Sequence, residues 1–250
     1  GDVPAVAREE LGDDVRAIDW NVTARYNDTF IKVFEEEREL TMMLIIDISG
    51  SNFFGSNSAF KNEYVTELAA TLAFSATKNN DKVGLILFSD NVELYIPPKK
   101  GKSHVLRIIR ELLEFKSKSK KTDINVPLKF VSNILKNRSI AFIISDFISQ
   151  DYSNSLKIFS SRHDVTGIRI YDKTEEIIPN LGVIDINDNE TGKRTTVNTS
   201  SKKIRRKYNE YYNSKRREFV DYFKRSRSGI IECNTQDDYQ KKLLKYFKSR

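Results

Sequence analysis

The 250-residue sequence contains one cysteine, two histidines, five prolines and ten glycines. A single cysteine, Cys233, can form neither an internal disulfide nor a cysteine-based zinc site. His104 and His163 are too few for a histidine-rich catalytic metal centre. No low-complexity linker or internal repeat interrupts the chain, which favours a compactly folded protein.

Long apolar runs are also missing. The longest, such as 42–46 and 140–144, are far too short to cross a bilayer, so the sequence predicts no transmembrane segment in this chain and a cytoplasmic location. Hydrophobic residues nevertheless make up 39% of the sequence and aromatic residues 11%, which is enough to build a core. The composition is that of a folded domain of ordinary size.

The charge is unevenly distributed. The chain holds 42 Lys and Arg against 35 Asp and Glu, a formal net charge of +7. By count, residues 1–200 carry about −3 and residues 201–250 about +10, so the excess positive charge lies in the C-terminal segment. The sequence therefore describes a mildly acidic body with a basic end.

Buried strands are predicted to alternate with amphipathic helices. The predicted strands cover 41–48, 82–88, 92–96, 139–145, 164–170 and 229–233. The predicted helices cover 58–79, 102–115, 125–137, 152–162, 201–226 and 237–248. Such alternation predicts an α/β fold, a doubly wound and mostly parallel sheet with helices on both faces. Additional N-terminal strands are expected near 30–38, and a hairpin near 181–198.

Polar residues follow two of the predicted strands at the point where each ends. Asp47, Ser49 and Ser51 form an Asp-x-Ser-x-Ser loop after one strand, and Asp146 follows another. Thr122 stands in a loop before a helix, from which it can reach the same place. Ligands of doubly wound folds bind beyond the carboxyl ends of the strands. Two carboxylates and three hydroxyls form an all-oxygen set, which suits Mg²⁺ or Mn²⁺ and suits neither zinc nor copper.

These five residues resemble the metal-ion-dependent adhesion site of von Willebrand factor A-type domains. A second run, Gly-Asp-Asp-Val-Arg-Ala-Ile-Asp-Trp at 12–20, is similar to the signature that precedes the A-type domain in the bacterial domain-of-unknown-function family 58. The resemblance extends from about Gly12 to the C-terminus. It implies a family segment at 1–40 and an A-type, Rossmann-like domain at 41–250 that carries the hairpin near 181–198.

The resemblance implies a binding module and not an enzyme. Asp47, Ser49, Ser51, Thr122 and Asp146 would hold the Mg²⁺ ion, whose remaining position accepts a carboxylate from a partner protein. Such sites bind Mg²⁺ weakly until that carboxylate arrives. Members of the family are commonly encoded beside MoxR-type AAA+ ATPases, which implies an ATPase of this type as the partner in chaperone-like assembly.

Two other functions fit parts of the sequence. The basic segment 201–250 could bind nucleic acid or another anionic surface, although the acidic body and the lack of a nucleic-acid motif argue against it. A strand-end aspartate such as Asp47 could be a phosphoryl-accepting nucleophile in a metal-dependent phosphohydrolase. Ser49 stands where the second aspartate of an Asp-x-Asp phosphatase would be, and no P-loop, nucleophile elbow or zinc-protease motif is present.

Overall fold

The computed structural model describes residues 6–8, 30–32, 39–49, 58–172, 177, 179–187 and 194–249. The signature run 12–20 and the predicted ligand Ser51 lie outside these residues. The chain divides into two units, Gly1–Arg38 and Glu39–Arg250. In the first unit, strands β1 (Val6–Arg8) and β2 (Phe30–Lys32) pair antiparallel. The assignment of 1–40 to a family segment and 41–250 to an A-type domain stays a prediction.

The second unit contains eight described strands and six described helices. The strands are β3 (Thr41–Asp47), β4 (Lys82–Phe88), β5 (Val92–Lys99), β6 (Ile140–Ser145), β7 (Asp164–Tyr171), β8 (Val183–Asn187), β9 (Arg194–Asn198) and β10 (Gly229–Asn234). The helices are α1 (Ser58–Lys78), α2 (Lys102–Glu114), α3 (Asn125–Ile134), α4 (Ser153–Ser160), α5 (Lys202–Arg225) and α6 (Tyr239–Lys248). Strands β8 and β9 form an antiparallel pair of their own.

Six strands form the central sheet in the order β10-β7-β6-β3-β4-β5, and every neighbouring pair is parallel except β4 with β5. Strand β3 is nearly all apolar because both of its faces are covered. Met42, Leu44 and Ile46 belong to one core cluster, with side chains of α1, α2 and α6. Met43 and Ile45 belong to the other, with side chains of α3, α4 and α5. The predicted doubly wound α/β class is therefore confirmed.

The strand order places a crevice in the middle of the sheet. From β3 the chain moves first to β4 and β5 on one side and then to β6 on the other. The crossovers therefore leave β3 and β6 in opposite directions, and their carboxyl ends form the switch point at which open α/β sheets bind ligands.

Strand β5 is longer than its sequence predicts. The prolines at 97 and 98 were expected to end it at residue 96, yet it continues to Lys99. Strand β5 lies at the edge of the sheet, and its pairing with β4 shifts register between Leu85–Ile96 and Val83–Lys99. Edge strands and bulges tolerate proline because the missing N–H is not needed there, and that is why this strand does not stop.

Helix α5 carries an apolar stripe, of which only the C-terminal end is buried. Phe219 and Phe223 are fully buried, whereas Ile204, Tyr208 and Tyr212 are only partly buried. The two phenylalanines lie on Gly167 of β7, where a Cβ atom would come within 2.5 Å of the Phe223 ring. Among the helices that the structure describes, α5 included, none has the length and apolar character needed to cross a membrane.

Candidate metal centre

Two buried carboxylates meet at the switch point. Asp47 is the last residue of β3, and Asp146 directly follows Ser145, the last residue of β6. Strands β3 and β6 are parallel neighbours, with Ile46 opposite Ile144. Asp47 and Asp146 are only 1% and 5% exposed. Because neighbouring parallel strands end at the same edge, Asp47 is level with Ser145, and Asp146 stands one residue beyond it at the same edge of the sheet.

Hydroxyl groups converge on Asp47. The Ser145 Oγ donates to Asp47 Oδ2 at 2.6 Å, and the Ser49 backbone N–H donates to Asp47 Oδ1 at 2.9 Å. The Ser49 hydroxyl also hydrogen-bonds the same carboxylate. Thr122 extends this chain, since its Oγ1 donates to Ser49 Oγ at 2.6 Å. Thr122, Ser49, Asp47 and Ser145 are thus connected in one hydrogen-bonded series across three separate parts of the chain.

The loop that carries Thr122 is tied to the sheet on both sides. The next residue, Asp123, donates its backbone N–H to the carbonyl of Ser89, just beyond β4, at 3.0 Å. On the other side, the Ser149 Oγ, in the loop after β6, donates to the Thr122 carbonyl at 3.4 Å. These contacts explain how a residue from a loop between helices comes to face the ends of β3 and β6.

Phe147 fixes the turn after Asp146. Its backbone φ is +59°, a left-handed conformation that a bulky side chain rarely adopts. Its N–H donates to Ser145 Oγ at 3.0 Å, and its buried ring lies 4.3 Å from Phe219 and 5.3 Å from Phe223 between centroids. Left-handed backbone costs about 1–2 kcal/mol, which burial of an aromatic ring can offset. Helix α5 therefore holds the turn that presents Asp146.

The electrostatics of the pair are unfavourable without a cation. Burial in a low-dielectric region, followed by the nearby charge of Asp146, raises the pKa of Asp47 to about 7, and the hydrogen bonds from Ser145 and Ser49 offset part of this rise. A buried carboxylate whose charge is opposed in this way is a carboxylate that a positive ion would stabilise.

The side chains present fit a hard divalent cation. Neighbouring ligands of an octahedral Mg²⁺ ion with bonds of about 2.0–2.1 Å lie about 2.9 Å apart, and the Ser49 and Thr122 hydroxyl oxygens are 2.6 Å apart. Across the described residues, no group of three or more His, Cys, Asp or Glu side chains is placed to hold a metal ion. The set is instead two carboxylates and two hydroxyls, a chemistry that suits Mg²⁺ or Mn²⁺.

Four of the five predicted ligands lie at this place. Asp47, Ser49 and Thr122 are joined by hydrogen bonds, and the charge of Asp146 acts on Asp47. Ser51 lies outside the described residues, and the role of all five as ligands stays a prediction. Ser145 was not among the predicted site residues. Its position at the end of β6, in register with Asp47, is the signal that could have identified it.

Two solved structures share this fold. An aerotolerance-related membrane protein from Bacteroides fragilis is 16% identical to this chain with a TM-score of 0.54, covering 84% of this chain and 100% of that one. The hypothetical protein BatB from Bacteroides thetaiotaomicron is 14% identical with a TM-score of 0.55, covering 84% of this chain and 98% of that one. At these identities the likeness shows the fold alone, an α/β fold like that of von Willebrand factor A domains.

The family follows from the sequence match. Residues 7–218 match the family described as "Protein of unknown function DUF58", and the chain belongs to this family. An "Uncharacterized protein Rv1480" of Mycobacterium tuberculosis is 27% identical over 184 residues, which are 72% of this chain. "Uncharacterized protein Mb1516" of Mycobacterium bovis matches to the same extent. The match spans 58% of the length of these curated relatives.

Replacement of Ser145 by alanine is expected to lower the free energy of unfolding by about 1–3 kcal/mol, because it leaves a buried carboxylate oxygen and the Phe147 N–H without their partner. Urea denaturation in EDTA measures this loss. The control is Ser132→Ala on α3, whose Oγ donates only to the Leu128 carbonyl of its own helix. Equal losses in the two variants would show that the Ser145 contacts have no special weight.

The pKa of Asp47 predicts how stability without a cation depends on pH. The folded-state pKa, about 7, lies above the unfolded value of 3.8, so folding favours the protonated acid. The stability that protonated Asp47 contributes to the folded state is fully present below about pH 4. It decreases by about 2–4 kcal/mol as the pH rises to 7. In EDTA, wild type should therefore lose stability relative to Asp47→Asn between pH 4 and 8, and Mg²⁺ should restore it at pH 8.

The matched control for this profile is Asp238→Asn. Asp238 caps α6, and the Lys241 backbone N–H holds its pKa below the usual value. The stability that ionised Asp238 contributes is fully present at pH values above the pKa of this group in the unfolded chain. It is lost only at lower pH. Between pH 5 and 8, the free energy of unfolding of this variant should change with pH as it does in wild type. A wild-type profile parallel to that of Asp47→Asn would contradict the account.

Proposed function

We propose that this protein is a binding module in which a divalent cation, Mg²⁺ or Mn²⁺, recruits a carboxylate from a partner protein. Asp47, Ser49, Ser51, Thr122 and Asp146 would hold the ion. The observation that carries the proposal is the hydrogen-bonded series from Thr122 through Ser49 to Asp47, beside the second buried carboxylate of Asp146.

The neutral ligands favour recruitment of an anion. A bound divalent cation would supply an electrophilic position open to the partner. Ser49 and Thr122 contribute oxygen atoms without charge, so they leave more of the ion's positive charge for an incoming carboxylate than further acidic ligands would. Ser145 orients Asp47 through a 2.6 Å hydrogen bond, and Phe147 holds the backbone beside Asp146. The protein itself would supply a rigid site that is shielded from water.

The surroundings of Asp47 support binding in preference to hydrolysis. Both of its carboxylate oxygens accept hydrogen bonds, from Ser145 on one side and from Ser49 on the other. These hydrogen bonds leave lone pairs on both oxygens for an ion, and a phosphatase that uses a nucleophilic aspartate needs a second acid two residues later. Ser49 occupies that second position. We therefore propose no enzymatic role.

The proposed partner is a MoxR-type AAA+ ATPase, which this protein would assist in chaperone-like assembly. The support is membership of the DUF58 family, together with a candidate site whose chemistry suits a protein carboxylate. A cytoplasmic location belongs to the same proposal, because an ATP-driven partner works where ATP is available.

Binding to the MoxR-type ATPase of the same organism is expected to require both the ion and the site. Immobilised wild-type protein should retain the purified ATPase with Mg²⁺ and release it in EDTA, and Asp146→Asn should retain little. Calorimetry should show Mg²⁺ affinity at least about tenfold weaker in Asp146→Asn. The control variant is Glu67→Gln, which removes an exposed carboxylate from α1 and should match wild type.

Two results would count against the proposal. Mg²⁺ affinity that is the same in wild type and Asp146→Asn would remove the metal site. Normal Mg²⁺ binding without Mg²⁺-dependent retention of the ATPase would leave the metal site standing and would remove this partner.

A further inference from the structure

A polar cavity lies at the edge of the central sheet opposite the candidate metal centre. Strands β6, β7 and β10 are parallel neighbours, so their amino ends meet at one edge. The segments that lead into these three strands enclose a cavity of about 390 Å³. It is lined by Arg138 before β6, by residues within 157–165 and by residues 225–228. We call it the basal cavity.

Basic side chains give the basal cavity a positive charge. Arg138, Lys157 and Arg227 line it and are exposed. Within the described part of the chain, no ion pair involves any of these three. Among the described residues that line the cavity, only Val165 is apolar. The cavity is therefore suited to a polar and negatively charged ligand.

Negative groups near the cavity reduce its charge without cancelling it. A fourth cation, Arg225, is paired with Asp221 at 2.8 Å, and Asp164 also lines the cavity. Three cations against one carboxylate leave a net charge of about +2. The carboxyl ends of α4 and α5 each add about half a negative charge, so about +1 remains. Because cations also stabilise helix ends by themselves, charge alone does not define a ligand site.

A buried histidine donor distinguishes this cavity from an ordinary basic surface. His163 lines the cavity and is only 3% exposed. Its Nδ1 accepts a hydrogen bond from the Ser139 N–H at 3.3 Å, so the proton of the neutral ring is on Nε2. Burial, followed by the charge of Arg162, lowers the pKa of His163, which keeps the ring neutral near pH 7. Among the described residues, Nε2 has no hydrogen-bond partner.

A ligand can supply the acceptor that this donor lacks. Buried donors are nearly always hydrogen-bonded, so an unpaired one indicates a missing partner. The serine hydroxyls of the lining already donate to backbone carbonyls, as is the case for Ser160, Ser161 and Ser228. Nε2 is shielded from water, so a ligand reaches it only when neighbouring side chains shift. Exposed side chains such as Lys157 change rotamer within nanoseconds, which makes such a shift easy.

We propose that the basal cavity binds a small polar organic phosphate, whose phosphate group is held by the guanidinium groups of Arg138 and Arg227 and by the Nε2–H of His163. The planar fork of arginine matches phosphate oxygens in pairs. Ligand pockets have volumes of about 300–1,000 Å³, so this cavity has room for an organic part beside the phosphate.

The lining also limits what the organic part can be. Among the described lining residues there is no Phe, Tyr or Trp on which a nucleotide base could stack. Val165 alone offers too little apolar surface for an acyl chain. A sugar phosphate fits these limits, whereas a nucleotide and a lipid do not.

The test measures binding of ribose 5-phosphate to the full chain by calorimetry. EDTA is present throughout, so that the candidate metal centre cannot contribute. Wild type should bind ribose 5-phosphate with a dissociation constant of about 1 mM or lower. Ribose without the phosphate should give no detectable binding. Absence of ribose 5-phosphate binding, or equal binding of ribose, would overturn the inference.

Two variants separate the cavity from general surface charge. Arg138→Gln/Arg227→Gln should bind ribose 5-phosphate at least about tenfold more weakly, because charge-assisted hydrogen bonds are lost. His163→Asn keeps an acceptor for the Ser139 N–H and removes the Nε2 donor, so binding should weaken about fivefold or more. The control, Arg107→Gln/Arg110→Gln, removes the same charge from exposed positions of α2 and should match wild type.

A magnetic resonance measurement on wild type avoids any doubt about how the variants fold. The chain has two histidines, so two Nε2 signals are expected. The His163 signal should shift when ribose 5-phosphate is added. The His104 signal should not, because its Nε2 lies 2.9 Å from the Val83 carbonyl, away from the cavity.

Three further results would overturn the inference. One is equal affinity in wild type and Arg138→Gln/Arg227→Gln. Another is weaker binding in that variant with an unshifted His163 signal, which would indicate attraction to surface charge alone. The third is tighter binding of a phosphoserine peptide, or of vesicles containing phosphatidic acid, than of ribose 5-phosphate, which would identify a macromolecular surface instead.

Discussion

The mutual repulsion of two buried carboxylates is the constraint on which the rest of this structure depends. Asp47 and Asp146 lie at the ends of neighbouring parallel strands, almost completely shielded from water. Burying one charge without compensation costs several kcal/mol, and a second like charge adds to that cost. A fold keeps such a pair only if something else compensates it. Hydroxyl groups supply part of the compensation here, and a divalent cation would supply the remainder.

The surrounding architecture keeps these groups in position. Strands β3 and β6 are apolar on both faces, so helices anchor them from two sides and their ends cannot shift independently. The left-handed turn at Phe147 is held by Phe219 and Phe223 of α5, which in turn lie against Gly167. The long basic helix is thereby linked to the candidate centre by packing, a role that its charge alone does not indicate.

Most of the fold could be predicted from the sequence because helices and buried strands have distinct apolar periods. The position of the candidate site could be predicted because ligands of doubly wound sheets bind at the carboxyl ends of the strands. The structure brings Asp47, Ser49 and Thr122 within hydrogen-bond distance there. Details that depend on tertiary context were missed. Strand β5 continues through its two prolines because it lies at the edge of the sheet. The local sequence does not indicate that edge position. Ser145 was missed because its contact with Asp47 requires the register of two strands far apart in the sequence.

The central claim is that the ends of β3 and β6 form a divalent-cation site. Its most direct test is an anomalous difference map from crystals grown with Mn²⁺. We expect a single strong peak among the side chains of Asp47, Ser49, Thr122 and Asp146 in the wild-type protein, and no such peak in Asp146→Asn crystals. A wild-type map with no peak there, at a Mn²⁺ concentration that saturates binding in solution, would contradict it.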